Sequence, residues 1–444
     1  MLNNEENALI CRVGPGTPAG DVMREYWLPA LLSSELPEAD GPPLRVRLLG
    51  EDLIAFRDSA GRVGLLAAHC PHRGASLFFG RNEEQGLRCV YHGWKFDAGG
   101  ACLDMPSEPT ESNFKDRVRT TAYPCQERNG VIWAYMGPGR PACDPPSLEW
   151  NLVPEEQRYI SKRVQECNWL QALEGGIDST HSAFLHGSLN REQAADRAAA
   201  RPVYSVRQTH VRYELADTEY GMLLAARRYA EAGSAYWRIS HLLMPFYNMF
   251  PPRPSTTLGG LAWVPMDDET TMVWNFTWHP TRALLEGELP TYSASHGPNA
   301  GSISIHAGLD DLLSPTSAPG GAWRPKANRS NDYALDYDAQ RTTRFFGVPS
   351  VWAQDAAIQE SMGPIVDRTR EHLGTSDGGI IGVRQLWLRT VRAHAEQGVV
   401  PPGASTPDAF RVRPVAVVLP EGVPWLEGAR DLLEARPGVL LDAL

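Results

Sequence analysis

From Leu44 to Leu48 apolar and basic positions alternate, and the apolar run Leu53 to Phe56 is closed by Asp58-Ser59-Ala60-Gly61. Alternation with period two, bounded by turn residues, predicts half-buried strands. Gly99-Gly100 and Asn129-Gly130 supply further turn signals, so the first third of the chain reads as an antiparallel β domain built from hairpins. That pattern stops at Gly137-Pro138-Gly139-Arg140-Pro141, with Pro145-Pro146 just beyond. Proline and glycine at this density fit neither a helix nor a central strand and mark a domain boundary. The expected division is residues 1–145, with a β core over about 25–137, and residues 146–444.

A different rhythm follows. Trp169, Leu173 and Ile177 step by four within Asn168 to Leu185, which predicts a helix. Tyr236 to Leu243 and Val273 to Trp278 read as strands, the second preceded by an Asp267-Asp268-Glu269 turn. The polar stretch Ser293 to Asp338 reads as long loops, and loops of that length usually cover a site. Helical spacing returns over Val351 to Ile365, and Trp425 to Leu433 predicts a terminal helix. The fold class is therefore α+β: an antiparallel β domain, then an antiparallel sheet carrying helices.

Composition narrows the function. The chain has 444 residues, 42% of them hydrophobic and 21% charged, enough to bury a sizeable core. A net charge of −11 argues against a nucleic-acid binder and against a protein held on anionic lipid. No apolar run approaches the ~18–20 residues of a membrane span. Met1 to Asn7 holds Glu5 and Glu6 with no basic stretch, unlike a signal peptide, so a cytoplasmic protein is expected. All seven cysteines lie in the first 167 residues. An odd number in a long intracellular chain speaks for metal chemistry over disulfides.

Cys70-Pro71-His72 and Cys89-Val90-Tyr91-His92 each pair a thiol with an imidazole, with 16 residues between the pairs. Two groups suit this donor set: a tetrahedral zinc, or a Rieske [2Fe–2S] cluster with two cysteines on one iron and two histidines on the other. A zinc finger would put its histidines on a helix after the cysteines. Here each pair sits in a predicted hairpin loop and is followed by Arg73-Gly74 or Gly93-Trp94, which favours the cluster. The glycines are expected to bring backbone N–H groups close to the bridging sulfides. His69 reads as an ordinary loop histidine. Cys102, Cys125, Cys143 and Cys167 read as small buried hydrophobes.

A cluster alone leaves most of the chain unexplained. Glu174-Gly175-Gly176-Ile177-Asp178-Ser179-Thr180-His181, followed by His186, brings carboxylates and two imidazoles within thirteen residues. Asp178 and His181, three apart, share a helical face. His181 and His186, five apart, are separated by about 140° on an ideal helix, so one metal collects both only where the helix ends or bulges. Gly187 makes an ending plausible. An iron site of this kind needs a further carboxylate and open positions. Asp355 is the candidate: Val351, Asp355, Ile358, Met362 and Ile365 form one helical stripe on which it is the single charge, and a core-facing carboxylate needs a cation.

His69-Cys70-Pro71-His72-Arg73-Gly74-Ala75 together with Cys89-Val90-Tyr91-His92-Gly93-Trp94-Lys95-Phe96-Asp97 resembles the Rieske domain of the aromatic-ring-hydroxylating oxygenases. The likeness runs from Arg12-Val13-Gly14-Pro15-Gly16-Thr17 through Trp352-Ala353-Gln354-Asp355 to Gly363-Pro364-Ile365-Val366-Asp367-Arg368, and these runs resemble the phthalate dioxygenase branch in particular. The resemblance implies a terminal oxygenase (α) subunit with a helix-grip catalytic domain. It implies a [2Fe–2S] cluster on Cys70, His72, Cys89 and His92, and a mononuclear Fe(II) on His181, His186 and Asp355. Asp178 would then bridge His181 and His92 of the partner subunit in a head-to-tail homotrimer or hexamer. Electrons would come from NADH through a flavin and iron–sulfur reductase, and O2 would meet an aromatic substrate at the iron.

Phthalate-type relatives grip carboxylates with arginines, which makes Arg207 a candidate substrate contact. Arg238-Ile239-Ser240-His241-Leu242-Leu243-Met244 carries a histidine and apolar residues where a second anionic clamp is expected, which weakens phthalate itself. Hydroxylation of an aromatic acid, O- or N-demethylation of a methoxy-aromatic or amine, and a non-catalytic electron carrier are the readings to be separated.

Overall fold

The structure, a computed structural model, describes residues 2–139, 141–189, 204, 209–251, 257–288 and 305–436. Ten strands form three small antiparallel sheets in the first part of the chain. One joins β1 (Trp27–Leu32), β9 (Cys125–Arg128) and β10 (Val131–Tyr135) in the order β1-β10-β9. The second is β2 (Leu44–Leu48), β3 (Glu51–Arg57) and β4 (Val63–Ala67). The third runs β5 (Arg81–Glu83), β6 (Gly86–Arg88), β7 (Lys95–Phe96) and β8 (Cys102–Asp104). Asn129 and Gly130, both at positive φ (47° and 79°), make the two-residue turn that pairs Arg128 with Val131. Such a turn matches the twist of the strands it joins.

An eight-stranded antiparallel sheet dominates the rest. Its order is β11 (Arg158–Gln165), β17 (Thr271–Trp278), β16 (Leu258–Pro265), β15 (Tyr247–Phe250), β14 (Ser234–Leu243), β13 (Gly221–Tyr229) and β12 (Arg212–Thr218), with β18 (Val415–Pro420) also on β14. The strands expected at Tyr236–Leu243 and Val273–Trp278 are in place. Trp150 stacks on Phe276 of β17 (centroids 3.8 Å, 10°) and on Trp133 of β10 (6.1 Å, 24°), so one aromatic column joins the small sheets to the large one.

Among the described residues there are seven α-helices: α1 (Asn4–Cys11), α2 (Pro18–Arg24), α3 (Trp169–Ile177), α4 (Tyr337–Thr342), α5 (Val351–Ser361), α6 (Gly378–Gln397) and α7 (Trp425–Ala429). A capping box of Asn3 and Glu6 starts α1. Both α1 and α2 pack on α6, so the first two dozen residues dock against the C-terminal part of the chain. Helix α3 lies against β16 and α5. Gly176 permits that approach, because a Cβ there would meet the Trp263 ring at 2.0 Å. Among the described residues, no helix is long and apolar enough to cross a membrane.

Two helix expectations need correction. The helix beginning at Asn168 stops at Ile177, since Asp178 leaves helical geometry (ψ 114°) and takes up hydrogen bonds to the following turn. The stripe on α5 does not face a core: Ile358 and Met362 are exposed, and the buried face carries Trp352, Ala353, Ala356 and Gln359. Residues 305–338 hold short turns of 3₁₀ helix and the start of α4, and residues 293–304 of the expected loop lie outside the described residues.

Candidate metal centres

Two matching loops present Cys70, His72, Cys89 and His92. In each, the cysteine N–H donates to a carbonyl five residues on (Ala75 or Trp94, 2.8 Å both), and a glycine N–H returns to the cysteine carbonyl (Gly74, 2.9 Å; Gly93, 3.0 Å). Gly74 and Gly93 have φ of 74° and 79°, a region costly for other residues. Their own N–H groups therefore close the two turns.

The imidazoles of His72 and His92 meet edge to face, centroids 4.5 Å apart. Trp94 stacks on His72 at 4.3 Å and 8°, fixing that ring. Both Nδ1 atoms are buried and make no hydrogen bond. Burial, then the neighbouring Cys89, pushes the Cys70 thiol up to about 11, although the His72 N–H pulls the other way. Two orphaned ring nitrogens beside two buried thiols form a donor set that a cationic iron–sulfur group satisfies. His69 is exposed beside it. Cys102 and Cys167 are buried as expected, whereas Cys125 and Cys143 are only half-buried.

The second group is assembled from the loop after α3 and from α5. Tyr213 Oη accepts the Ser179 N–H (2.7 Å) and donates to the Ile177 carbonyl (3.0 Å), pinning the chain where the helix ends. Asp178 Oδ1 accepts the Thr180 N–H at 2.7 Å, and His181 opens a 3₁₀ turn that stops at Ala183. This early ending removes the angular problem of a five-residue spacing. Nε2 of His181 and Nε2 of His186 are 3.1 Å apart, and Asp355 Oδ1 is 3.7 Å and 3.3 Å from them. Donors each about 2.1 Å from one ion, at angles of about 90–120°, stand about 3.0–3.6 Å apart, so the three fit a single metal. His186 is buried, whereas His181 and Asp355 keep 25% and 26% of their side chains exposed, which leaves one side of the site open.

Neighbouring groups set the tautomers. Gln354 Nε2 donates to the Val348 carbonyl (2.8 Å), which turns its Oε1 to His186 Nδ1 at 2.7 Å. The proton accordingly sits on Nδ1 and Nε2 keeps its lone pair. Asp178 Oδ2 stands 3.5 Å from Nδ1 of His181, at ion-pair distance and farther than Gln354 is from His186. Burial pushes the Asp355 carboxyl up, but His186, His181 and Arg163 together hold it below the usual range.

Glu174 is not at this site. It is paired in the interior with Arg368 (3.0 Å) and Arg384 (2.7 Å). His241 is no substrate clamp: it is fully buried between Tyr220 Oη and the Arg413 carbonyl, and burial lowers it to about 4. Arg207 lies outside the described residues.

Sequence reasoning missed Gln354, Tyr213 and a buried cation, Arg163. The last left a signal: Lys162-Arg163 in a strand must send one charge to each face, and both faces of this sheet are covered. Lys162 meets Glu35 on one face; Arg163 lies on the other, beneath Trp352 of α5.

Comparison with known proteins agrees with this arrangement. The family profile of the Rieske [2Fe-2S] domain matches residues 26–123, and that described as LigXa C-terminal domain like matches 134–292 and 318–434. The chain is 41% identical over 430 residues to the 3-chlorobenzoate-3,4-dioxygenase oxygenase subunit of Comamonas testosteroni, covering 96% of this chain and 97% of that one. It is 37% identical to the phthalate 4,5-dioxygenase oxygenase subunit of Pseudomonas putida (88% and 87% covered). To the 5,5'-dehydrodivanillate O-demethylase oxygenase subunit of Sphingobium sp. it is 33% identical (88% and 80% covered). The solved structure of NdmA from Pseudomonas putida CBB5 shares the fold, with a TM-score of 0.55 at 20% identity over 86% of this chain and 95% of that one. Relatives of this kind along nearly the whole length exclude a stand-alone electron carrier. The chain belongs to the Rieske non-haem iron oxygenases, as a terminal oxygenase subunit that uses a [2Fe–2S] cluster and a mononuclear iron.

Proposed function

We propose that this oxygenase hydroxylates an aromatic acid, with the cluster on Cys70, His72, Cys89 and His92 and the catalytic iron on His181, His186 and Asp355. The observation that carries the reading is the meeting of two imidazoles and one carboxylate at 3.1–3.7 Å, on a rim open to one side. Relatives named for 3-chlorobenzoate and phthalate support an aromatic carboxylate as substrate. When bound, the cluster supplies single electrons and the mononuclear iron supplies dioxygen activation. The chain's own groups prepare that chemistry. Gln354 holds a proton at Nδ1 of His186, and Asp178 places its carboxylate 3.5 Å from Nδ1 of His181, which would leave the Nε2 lone pairs for a metal. Trp94 fixes the plane of His72.

Asp178 is assigned a second contact, to His92 of the partner subunit, which would link the two centres across a head-to-tail homotrimer or hexamer. The working division is a Rieske unit over residues 1–145 and a catalytic unit over 146–444, with α1 and α2 docked on the latter. A separate reductase, flavin and iron–sulfur in type, would deliver electrons from NADH in the cytoplasm.

Demethylation is the second reading, favoured by the likeness to the dehydrodivanillate O-demethylase subunit. One experiment tests both: oxygen uptake by the reconstituted holoenzyme with a surrogate reductase, across aromatic acids and methoxy-arenes, with formaldehyde assayed. Uptake with an acid and no formaldehyde supports hydroxylation, and stoichiometric formaldehyde supports demethylation. The Asp178→Asn enzyme should keep about three irons per chain yet lose turnover. Normal turnover in that variant would refute the bridge.

A further inference from the structure

Among the described residues several buried cations meet a carboxylate, Lys162 with Glu35, Arg368 and Arg384 with Glu174, and Arg413 with Glu149, whereas Arg228 donates to the carbonyl and hydroxyl oxygens of Ser179. Arg163 has neither a carboxylate nor a pair of acceptors. It is 3% exposed, yet among the described residues no carboxylate lies within ion-pair distance. Its one hydrogen bond runs from Nη1 to the amide oxygen of Asn275, at 3.1 Å. Its Nε is buried without an acceptor, and no described residue accepts from Nη2. Asn275 is fully buried, and its Nδ2 has no acceptor either. A buried guanidinium left with one neutral partner is costly, and so is a buried amide N–H left unmade.

The unused donors form a recognisable edge. Nε and Nη2 of a guanidinium carry parallel N–H bonds at the spacing of two carboxylate oxygens, and Nη1 is already committed to Asn275. Both side chains rise from the sheet face that lies under α5. The Arg163 guanidinium is 5.7 Å from the Trp352 ring centroid, and Trp352 is one turn before Asp355 on the same helix. Burial lowers Arg163 only to about 10, so it is charged at neutral pH. The ordering of Asn275 is also informative: its oxygen is used by the arginine, which leaves a second donor for an anion.

We propose that Arg163 and Asn275 form the carboxylate subsite of the oxygenase, holding an aromatic monocarboxylate between the sheet and α5 with its ring toward the iron-binding triad. The assignment rests on the aromatic-acid reading above and deepens it. Arg163 comes from a strand of the large sheet, so the scaffold holds its donors in place before substrate arrives.

The test is titration calorimetry on reconstituted holoenzyme with benzoate, 3-methoxybenzoate and phthalate, each against its uncharged amide. Asn275→Asp is the informative variant. It would pair Arg163 internally and remove the amide donor while strengthening the local fold, so melting temperature and iron content should hold. The expected result is carboxylate affinity down by about 100-fold or more, amide affinity unchanged, and the acid-over-amide preference lost. Arg163→Lys, which keeps the charge but not the fork, should fall between the two. If wild-type enzyme prefers acids and Asn275→Asp binds them equally well, the subsite is wrong and the aromatic-acid reading stands. If wild-type enzyme binds amides as tightly as acids, both fall.

Discussion

Gln354 and Asp355 are neighbours on α5, yet they meet the same imidazole from different sides: Asp355 near Nε2 at 3.3 Å, Gln354 at Nδ1 at 2.7 Å. The amide selects the tautomer that leaves a lone pair for a metal. Replacing it by leucine would bury the Nδ1 proton of His186 without an acceptor and free the ring to turn. Gln354→Leu should weaken iron binding by about 10–100-fold, read by competition with a chelator, with the visible absorption of the cluster unchanged. Equal iron affinity in that variant would remove Gln354 from the site. At this scale the sequence was readable where a residue type has few uses. Cysteines and histidines at close spacing announce a metal, whereas a glutamine or a strand arginine is ordinary until its surroundings are known. Two of the five residues on the Asp355 stripe, Ile358 and Met362, are exposed, so the stripe does not mark a core face. The carboxylate does face cationic chemistry, that of the triad and Arg163.

Among the elements, α3 matters because of where it stops. Glu174 lies in its last turn and is held by Arg368 and Arg384, and Arg384 is also bound by Glu371. This network ties α3 to α6 immediately before the segment bearing Asp178 and His181. Glu174→Gln would leave Arg368 buried without a carboxylate and Arg384 with Glu371 alone, and should cost about 3–5 kcal/mol of stability, measured by urea unfolding at pH 7. Burial pushes the Glu174 carboxyl up, but the two arginines outweigh it and hold the acid below its ordinary 4.5. A depressed folded value means the contribution is complete above pH 4.5 and fades as pH falls through the folded value. The gap between wild type and Glu174→Gln should thus persist from pH 7 to 4.5 and narrow only below that. Strands were the most legible elements, because alternation and Asn-Gly turns are local signals. The helix end at Ile177 was not, since Tyr213, 36 residues away, pins it.

For the whole molecule, exposed apolar side chains gather at both metal centres. Val90 and Tyr91 sit between Cys89 and His92, and Phe114 lies edge-on to Trp94. Phe184 falls between the two iron-site histidines and packs on Phe345, while Ile358 and Met362 extend the outer face of α5. Two different apolar rims suit a heterologous contact, which closes into a ring when the rotation allows. For the head-to-tail assembly proposed above, Val90→Glu and Ile358→Glu should each shift sedimentation toward single chains and abolish turnover while both metals remain. Unchanged assembly in both variants would rule out the head-to-tail arrangement.

Periodicity and rare residue types were enough to read an α+β chain with a Rieske motif and a second histidine site, because strands, turns and thiol–imidazole pairs are specified within a few residues. The convergence of His181 and His186 with Asp355, the pairing of Lys162 but not Arg163, and the placing of Gln354 depend on contacts between segments far apart in the chain. Burial and charge compensation act on the folded surface, and no local pattern encodes which distant partner a side chain will meet.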